Sequence, residues 1–300
     1  MTDADESPSP ADGDAAASDS TLTRRRVLAA GGGLLGLGVA GSAYVYLELQ
    51  GDDGDYVAPE SFPTLSTRGT FDGDGDAQFD GEYPTPRTDD APVADEEPAV
   101  LFVHGFQTGR EEAQNQAYTA EVGFSDTERP LSTAVYSWDS DRDWGVAKSV
   151  ADTNGRALAA WLADRSGPPI HVVAHSLGAR VTCEALRTLR ETDESTPLAS
   201  VSLLGAAIPR QSVERDGRYG AAIEAAPPPV ANYYSGNDRV LGWIYRFSDG
   251  TRAVGETGIT DEDAAPDGYV DVDVTGAVGD HYSYYEPGEG CLPAVAERLP

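Results

Sequence analysis

From residue 99 onward the chain alternates between two hydrophobic patterns. Residues 99–103 are a continuous apolar run, as expected of a strand buried on both faces, and 131–138, 170–174, 201–208 and 230–234 read as further strands. Between them the period lengthens. Within 144–164, Ala147, Val150, Ala151, Asn154, Leu158, Trp161 and Leu162 recur at three- and four-residue steps, and within 177–189 Leu177, Val181, Ala185 and Leu189 form one stripe. Strands alternating with helices predict an α/β fold, a mostly parallel sheet with helices on both faces, in a single domain. The final run, 269–275, sets Val270, Val272 and Val274 against Asp271 and Asp273, which predicts an edge strand with one charged face. Residues 65–71 and 78–83 are expected to supply one early hairpin.

Upstream of residue 98 the pattern is different. Residues 1–23 are rich in Asp, Ala, Ser and Pro and read as a disordered acidic N-terminus. Thr23-Arg24-Arg25-Arg26 then precedes an uncharged run over 27–47. Paired arginines before an apolar segment resemble a twin-arginine export signal, and 24–47 is expected to act as signal or membrane anchor. The run is long enough to cross a bilayer, and the small residues Ser42 and Ala43 offer a cleavage point. Both outcomes stay open. They place the domain outside the cell or on the outer face of its membrane. Residues 48–97 form an Asp/Gly/Pro-rich linker. Its Asp72-Gly73-Asp74-Gly75-Asp76 stretch lacks the glycine and glutamate of a calcium loop and reads as a solvated turn.

Charge narrows the partners. Asp and Glu number 51 against 21 Lys and Arg, a formal charge of −30, and Lys148 is the sole lysine. Repulsion opposes encounter with nucleic acid, so none is expected as partner. The acids are spread along the whole chain, which suits a halophilic protein whose self-repulsion is screened by salt. Cys183 and Cys291 lie in what would be an oxidising compartment; a disulfide is conceivable, and two independent buried thiols is the reading preferred.

The chemistry concentrates in Ala174-His175-Ser176-Leu177-Gly178. A buried strand runs into a small-x-Ser-x-Gly turn and a helix follows at once, the context a nucleophile elbow needs. The helix start offers free N–H groups and a positive dipole end to an oxyanion.

With Leu101-Phe102-Val103-His104-Gly105-Phe106 as a His-Gly loop, this elbow resembles the α/β-hydrolase superfamily in its lipase/esterase-like branch, over about residues 98–290. Tyr136-Ser137-Trp138 adds to the likeness. The resemblance implies an α/β-hydrolase catalytic domain over 98–300 with Ser176 as nucleophile. It also implies the chain order Ser, acid, His. Of the four histidines, His104 is expected to fix loop geometry, His171 to be a core residue, and His175 to point away from its neighbour Ser176. That leaves His281 as base. Asp238, in the Gly236-Asn237-Asp238 turn, is the expected acid, with Asp216, Asp261 and Asp263 as weaker rivals. The N–H groups of Phe106 and Leu177 are the expected oxyanion hole, and Trp138 a substrate contact. Residues 239–268, with Trp243, Ile244, Tyr245 and Phe247, are read either as a lid or as packing.

The expectation is an exported serine hydrolase of carboxylic esters, acting on a small-molecule or lipid ester without metal or organic cofactor. A membrane-tethered binding domain without turnover, and an acyltransferase or amidase using the same triad, stay open beside it.

Overall fold

The computed structural model describes residues 56–71, 87–89, 99–193, 198–226, 228–242 and 250–300, all within the compact unit Ala40–Pro300. The segments 1–23 and 24–47, the stretches 72–76 and 78–83 and the aromatic cluster 243–247 fall outside the described residues. Among those described, no helix is long and apolar enough to cross a membrane.

The strands are β1 (Thr64–Ser66), β2 (Arg87–Asp89), β3 (Val100–Val103), β4 (Thr133–Ser137), β5 (Ile170–His175), β6 (Leu198–Leu204), β7 (Val230–Tyr234) and β8 (Tyr269–Asp273). They form one sheet in the order β2-β1-β4-β3-β5-β6-β7-β8. Every pairing is parallel except that of β1 with β2. The helices are α1 (Arg110–Ser125), α2 (Trp144–Asp164), α3 (Gly178–Thr192), α4 (Gly220–Ala225), α5 (Val254–Thr257) and α6 (Leu292–Arg298).

The continuous apolar runs have the expected cause. In β3, Leu101 and Val103 pack with α2 and α3, while Val100 and Phe102 pack with α1 and α6; in β5, Val172 and Ala174 face the first group and Val173 the second. A strand covered on both faces has no polar side. The helices approach closely where side chains are smallest: a Cβ at Gly155 of α2 would lie 2.5 Å from Glu184 Cβ and 2.7 Å from Val181 O of α3.

Several expectations are corrected. The segment before residue 98 contributes to the sheet: β1, whose Leu65 is fully buried, pairs parallel with β4, and Phe62 and Phe71 also join the interior. An early hairpin is present, with β1 pairing antiparallel with 87–89, while 78–83 lies outside the described residues. Three-residue strands carry too little pattern to be read from sequence. β6 ends at Leu204, because Gly205 turns the chain with φ +51° and 206–208 pack as buried loop. β8 does lie at a sheet edge, but its Asp271 is half-buried, accepting from Asn232 Nδ2, Tyr269 OH and Ile259 N–H. Cys183 and Cys291 are free and buried in two different apolar clusters, on opposite faces of the sheet.

Candidate active site

At the carboxyl end of β5 the backbone reverses through Ser176 at φ +54°, a left-handed conformation costing a non-glycine residue about 1–3 kcal/mol. Neighbours on both sides hold it there. Ser176 N–H donates to Leu204 O (3.0 Å), and Ser176 O accepts from Ala207 N–H (2.9 Å) and Ala179 N–H (3.1 Å). The turn presses on β3 so closely that a Cβ at Gly178 would lie 2.2 Å from Val103 O. A side chain there would push the elbow off the sheet.

Two further turns meet it. The first follows β7: Ser235 Oγ accepts from Asn237 N–H, and Asp238 Oδ1 accepts from Leu241 N–H at 3.0 Å. The second follows β8 and carries His281. The two are stitched together: Ser235 Oγ donates to Val278 O (2.9 Å), Asn237 Nδ2 to Thr275 O (3.0 Å), and Gly236 N–H to Thr275 Oγ1 (3.0 Å).

The result joins residues far apart in the chain. His281 Nδ1–H donates to Asp238 Oδ2 at 2.7 Å, which leaves Nε2 to accept from Ser176 Oγ–H at 2.9 Å. All three are buried, with 6 % or less of each exposed. Water competes little for these bonds. Tyr284 OH lies 3.3 Å from Asp238 Oδ2 and 3.2 Å from Gly255 O, sharing one proton between them. Burial and the neighbouring Asp238 push the Tyr284 hydroxyl well above its ordinary range, so it stays a donor.

Phe106 and Leu177 flank the serine. Phe106 lines the cleft and stacks edge-on against Trp144 (5.1 Å between centroids). Leu177 is fully buried below the elbow. Among the described residues neither backbone N–H has a protein acceptor. The cleft is lined by Gly105, Phe106, Glu112, Gln116, Ser176 and His281, among others, and its open space of about 10 Å³ is room for one water. A larger depression of about 470 Å³ lies between Arg180, Gln211, Arg218 and Tyr219 and contains none of the three joined residues. The rival Asp216 lines that depression, and Asp261 caps a turn by accepting from Asp263 N–H. All three rivals are exposed.

Trp138 is corrected. It is fully buried, stacks flat on His104 (centroids 5.5 Å apart) and donates Nε1–H to His104 O at 3.0 Å. It supports the 104–108 loop from beneath and does not line the cleft. His104 is neutral, its pKa held well below the usual range by burial and by Arg68. Its Nδ1–H donates to Gly105 O (3.0 Å) and its Nε2 accepts from Trp138 N–H (3.1 Å). His171 pairs with Ser200 Oγ inside the sheet at 2.8 Å.

Arg68, in the segment read as linker, was not anticipated. Its guanidinium reaches under the same loop, donating to Thr108 O (2.7 Å), to His104 Nε2 (3.3 Å) and to Ser137 Oγ (2.7 Å). Nothing local in the sequence signals this, since Arg68 meets the loop only through the β1–β4 pairing. In the 239–268 stretch, Ala253 and Val254 are fully buried and Gly255 lies against Ala206; these residues are packing.

Sheet order, crossover helices and a serine turn at the carboxyl end of the central strand define an α/β-hydrolase fold. By sequence, the chain belongs to the family described as "Protein of unknown function (DUF726)", whose model matches residues 103–296. Over 169 residues it is 30 % identical to the "Uncharacterized membrane protein C6F6.13c" of Schizosaccharomyces pombe, covering 55 % of this chain but 21 % of that protein. The chain therefore spans about a fifth of that relative's length. Among solved structures, it is similar to YbtT, a type II thioesterase from the yersiniabactin biosynthetic pathway (15 % identity, TM-score 0.41, 70 % of this chain and 96 % of that one). It is also similar to the lin2722 product of Listeria innocua (11 %, 0.42, 68 % and 96 %) and to an esterase of Pyrobaculum calidifontis (16 %, 0.37, 69 % and 75 %).

Proposed function

We propose that the protein is a serine hydrolase acting on carboxylic esters. The observation that carries this reading is the continuous relay from Asp238 Oδ2 through His281 to Ser176 Oγ, at 2.7 and 2.9 Å. A hydroxyl is a poor nucleophile unless a base removes its proton as it attacks. Ser176 Oγ adds to the ester carbonyl while His281 Nε2 takes the proton, and Asp238 stabilises the imidazolium. The N–H groups of Phe106 and Leu177 receive the oxyanion, each contributing about 3 kcal/mol in the transition state. Collapse expels the alcohol, which leaves with the proton from His281. Water, deprotonated by the same imidazole, then hydrolyses the acyl-serine and restores the enzyme.

We further infer that the chain is exported and held at, or released from, the outer face of the membrane through residues 24–47. The paired arginines before an apolar run support this, as does the word "membrane" in the name of the S. pombe relative. Cell fractionation of the protein with Arg24 and Arg25 replaced by Lys tests it: accumulation in the cytoplasm is expected, and unchanged export refutes it.

Activity is tested with p-nitrophenyl esters of graded chain length at high salt, beside labelling by a fluorophosphonate. Turnover and labelling are expected, both abolished in Ser176→Ala. Unlabelled protein would instead point to a binding domain without turnover, and product transfer to added alcohols or amines to an acyltransferase.

A further inference from the structure

The loop bearing His281 has no regular secondary structure where the imidazole leaves it, yet the ring must stay aligned with both Asp238 and Ser176. The residue that spans this gap is the one beside the nucleophile. His175 is the last residue of β5 and is 2 % exposed. Its Nε2 lies 2.7 Å from the backbone carbonyl oxygen of His281. A carbonyl only accepts, so His175 Nε2 carries the hydrogen and donates it. The His281 peptide thus straddles the elbow: its side chain meets residue 176 and its carbonyl meets residue 175. The chain after His281 then winds around the same ring. Tyr285 meets the His175 imidazole edge-on at 5.1 Å, Tyr284 lies at 6.1 Å and Tyr282 at 6.4 Å, while the His281 ring itself is 4.8 Å away.

Resting on the serine hydrolase reading, we infer that His175 is a positioning residue for His281, acting through its Nε2–H on the His281 carbonyl. Because residues 175 and 176 are consecutive at the end of a central strand, this bond ties the base directly to the backbone that carries the nucleophile. The other ties to the loop backbone hold its neighbours Val278, Gly279, Asp280, Tyr282 and Ser283 and not the His281 carbonyl. His175 also suits the task electrostatically. Burial and the nearby His281 hold its pKa well below the usual range, so it stays neutral and adds no repulsion when His281 becomes an imidazolium.

The test compares His175→Gln, whose side-chain N–H can reach the same carbonyl, with His175→Phe, which keeps an aromatic ring but has no donor. A misplacement of the base approaching 1 Å costs up to about a hundredfold. With folding checked by circular dichroism, His175→Phe is expected to lose about 10- to 100-fold in kcat with KM held within about threefold, and His175→Gln to recover most of the loss. In the resting protein, the downfield proton resonance of His281 Nδ1–H should shift or broaden in the Phe variant and return in the Gln variant. The inference is overturned if His175→Phe keeps full kcat, if both variants lose activity alike, or if the resonance is unmoved by Phe. Failure of the hydrolase reading looks different: the native protein would give no Ser176-dependent turnover, while the resonance would still report whether His175 places His281.

Discussion

Gly105→Ala is the sharpest small perturbation of this site, because one methyl group strikes the nucleophile. A Cβ at residue 105 would stand 2.8 Å from Ser176 Cβ, 3.3 Å from Ser176 Oγ and 3.4 Å from His175 O. Carbon atoms rest at about 3.5–4.0 Å, so roughly 0.7 Å or more must be found by movement. Ser176 can yield little, since its backbone is tied to Leu204 and Ala207 and its turn abuts β3. The 104–108 loop must give way, and it carries the Phe106 N–H proposed to receive the oxyanion. Overpacking of this kind costs about 1–3 kcal/mol of stability. Displacing a donor by that distance should cost about 10- to 100-fold in kcat, bounded by the 3 kcal/mol or so of losing it outright. The measurement is kcat on a p-nitrophenyl ester and the second-order rate of fluorophosphonate labelling, with urea unfolding in parallel. An alanine variant with wild-type rates and an unchanged unfolding midpoint would refute both the packing argument and the role given to this loop.

Other expectations follow from the same geometry. Asp238→Asn presents an amide where His281 Nδ1–H now donates, allowing the wrong tautomer; steady-state kcat should fall about 10³- to 10⁴-fold with the fold retained by circular dichroism. Gly145, in the first turn of α2, has open space where a Cβ would go, so Gly145→Ala should raise stability by about 0.5 kcal/mol in urea titrations and leave activity alone. His104 and His175 have folded-state pKa values below the unfolded value, so the unfolded chain takes up protons first as pH falls. Their contribution is complete above the unfolded pKa of about 6.5 and is lost below it, by up to about 1.4 kcal/mol per pH unit for each ring. Unfolding midpoints measured between about pH 5 and 8 should drop on the acid side, less steeply for His175→Gln.

The pattern along the chain was enough for α2, α3 and the central strands, whereas α1, whose buried face is mostly Ala, Asn, Gln and Thr, carries too weak an apolar stripe to be read. α2 runs over the residues marked by its stripe and β7 over those of its apolar run, because a helix or strand of that length buries a face whatever surrounds it. The elbow was legible for a similar local reason: a left-handed Ser176 pressed against β3 needs small neighbours, and Ala174 and Gly178 supply them. Chain order and elimination pointed to Asp238 and His281, and the distances between them are a property of the fold alone.

Sequence could not decide what depends on which strand lies beside which. β1 is three residues long and acquires meaning only by pairing with β4, which is how Arg68 comes to brace a loop on the far side of that strand. An aromatic residue after β4 could face the cleft or the interior, and stacking on His104 places Trp138 inside. His175 is the last residue of β5, and the sequence gives no hint that its imidazole meets the His281 backbone. Local periodicity is written in one stretch of chain; hydrogen bonds between stretches a hundred residues apart exist only once the sheet has ordered them.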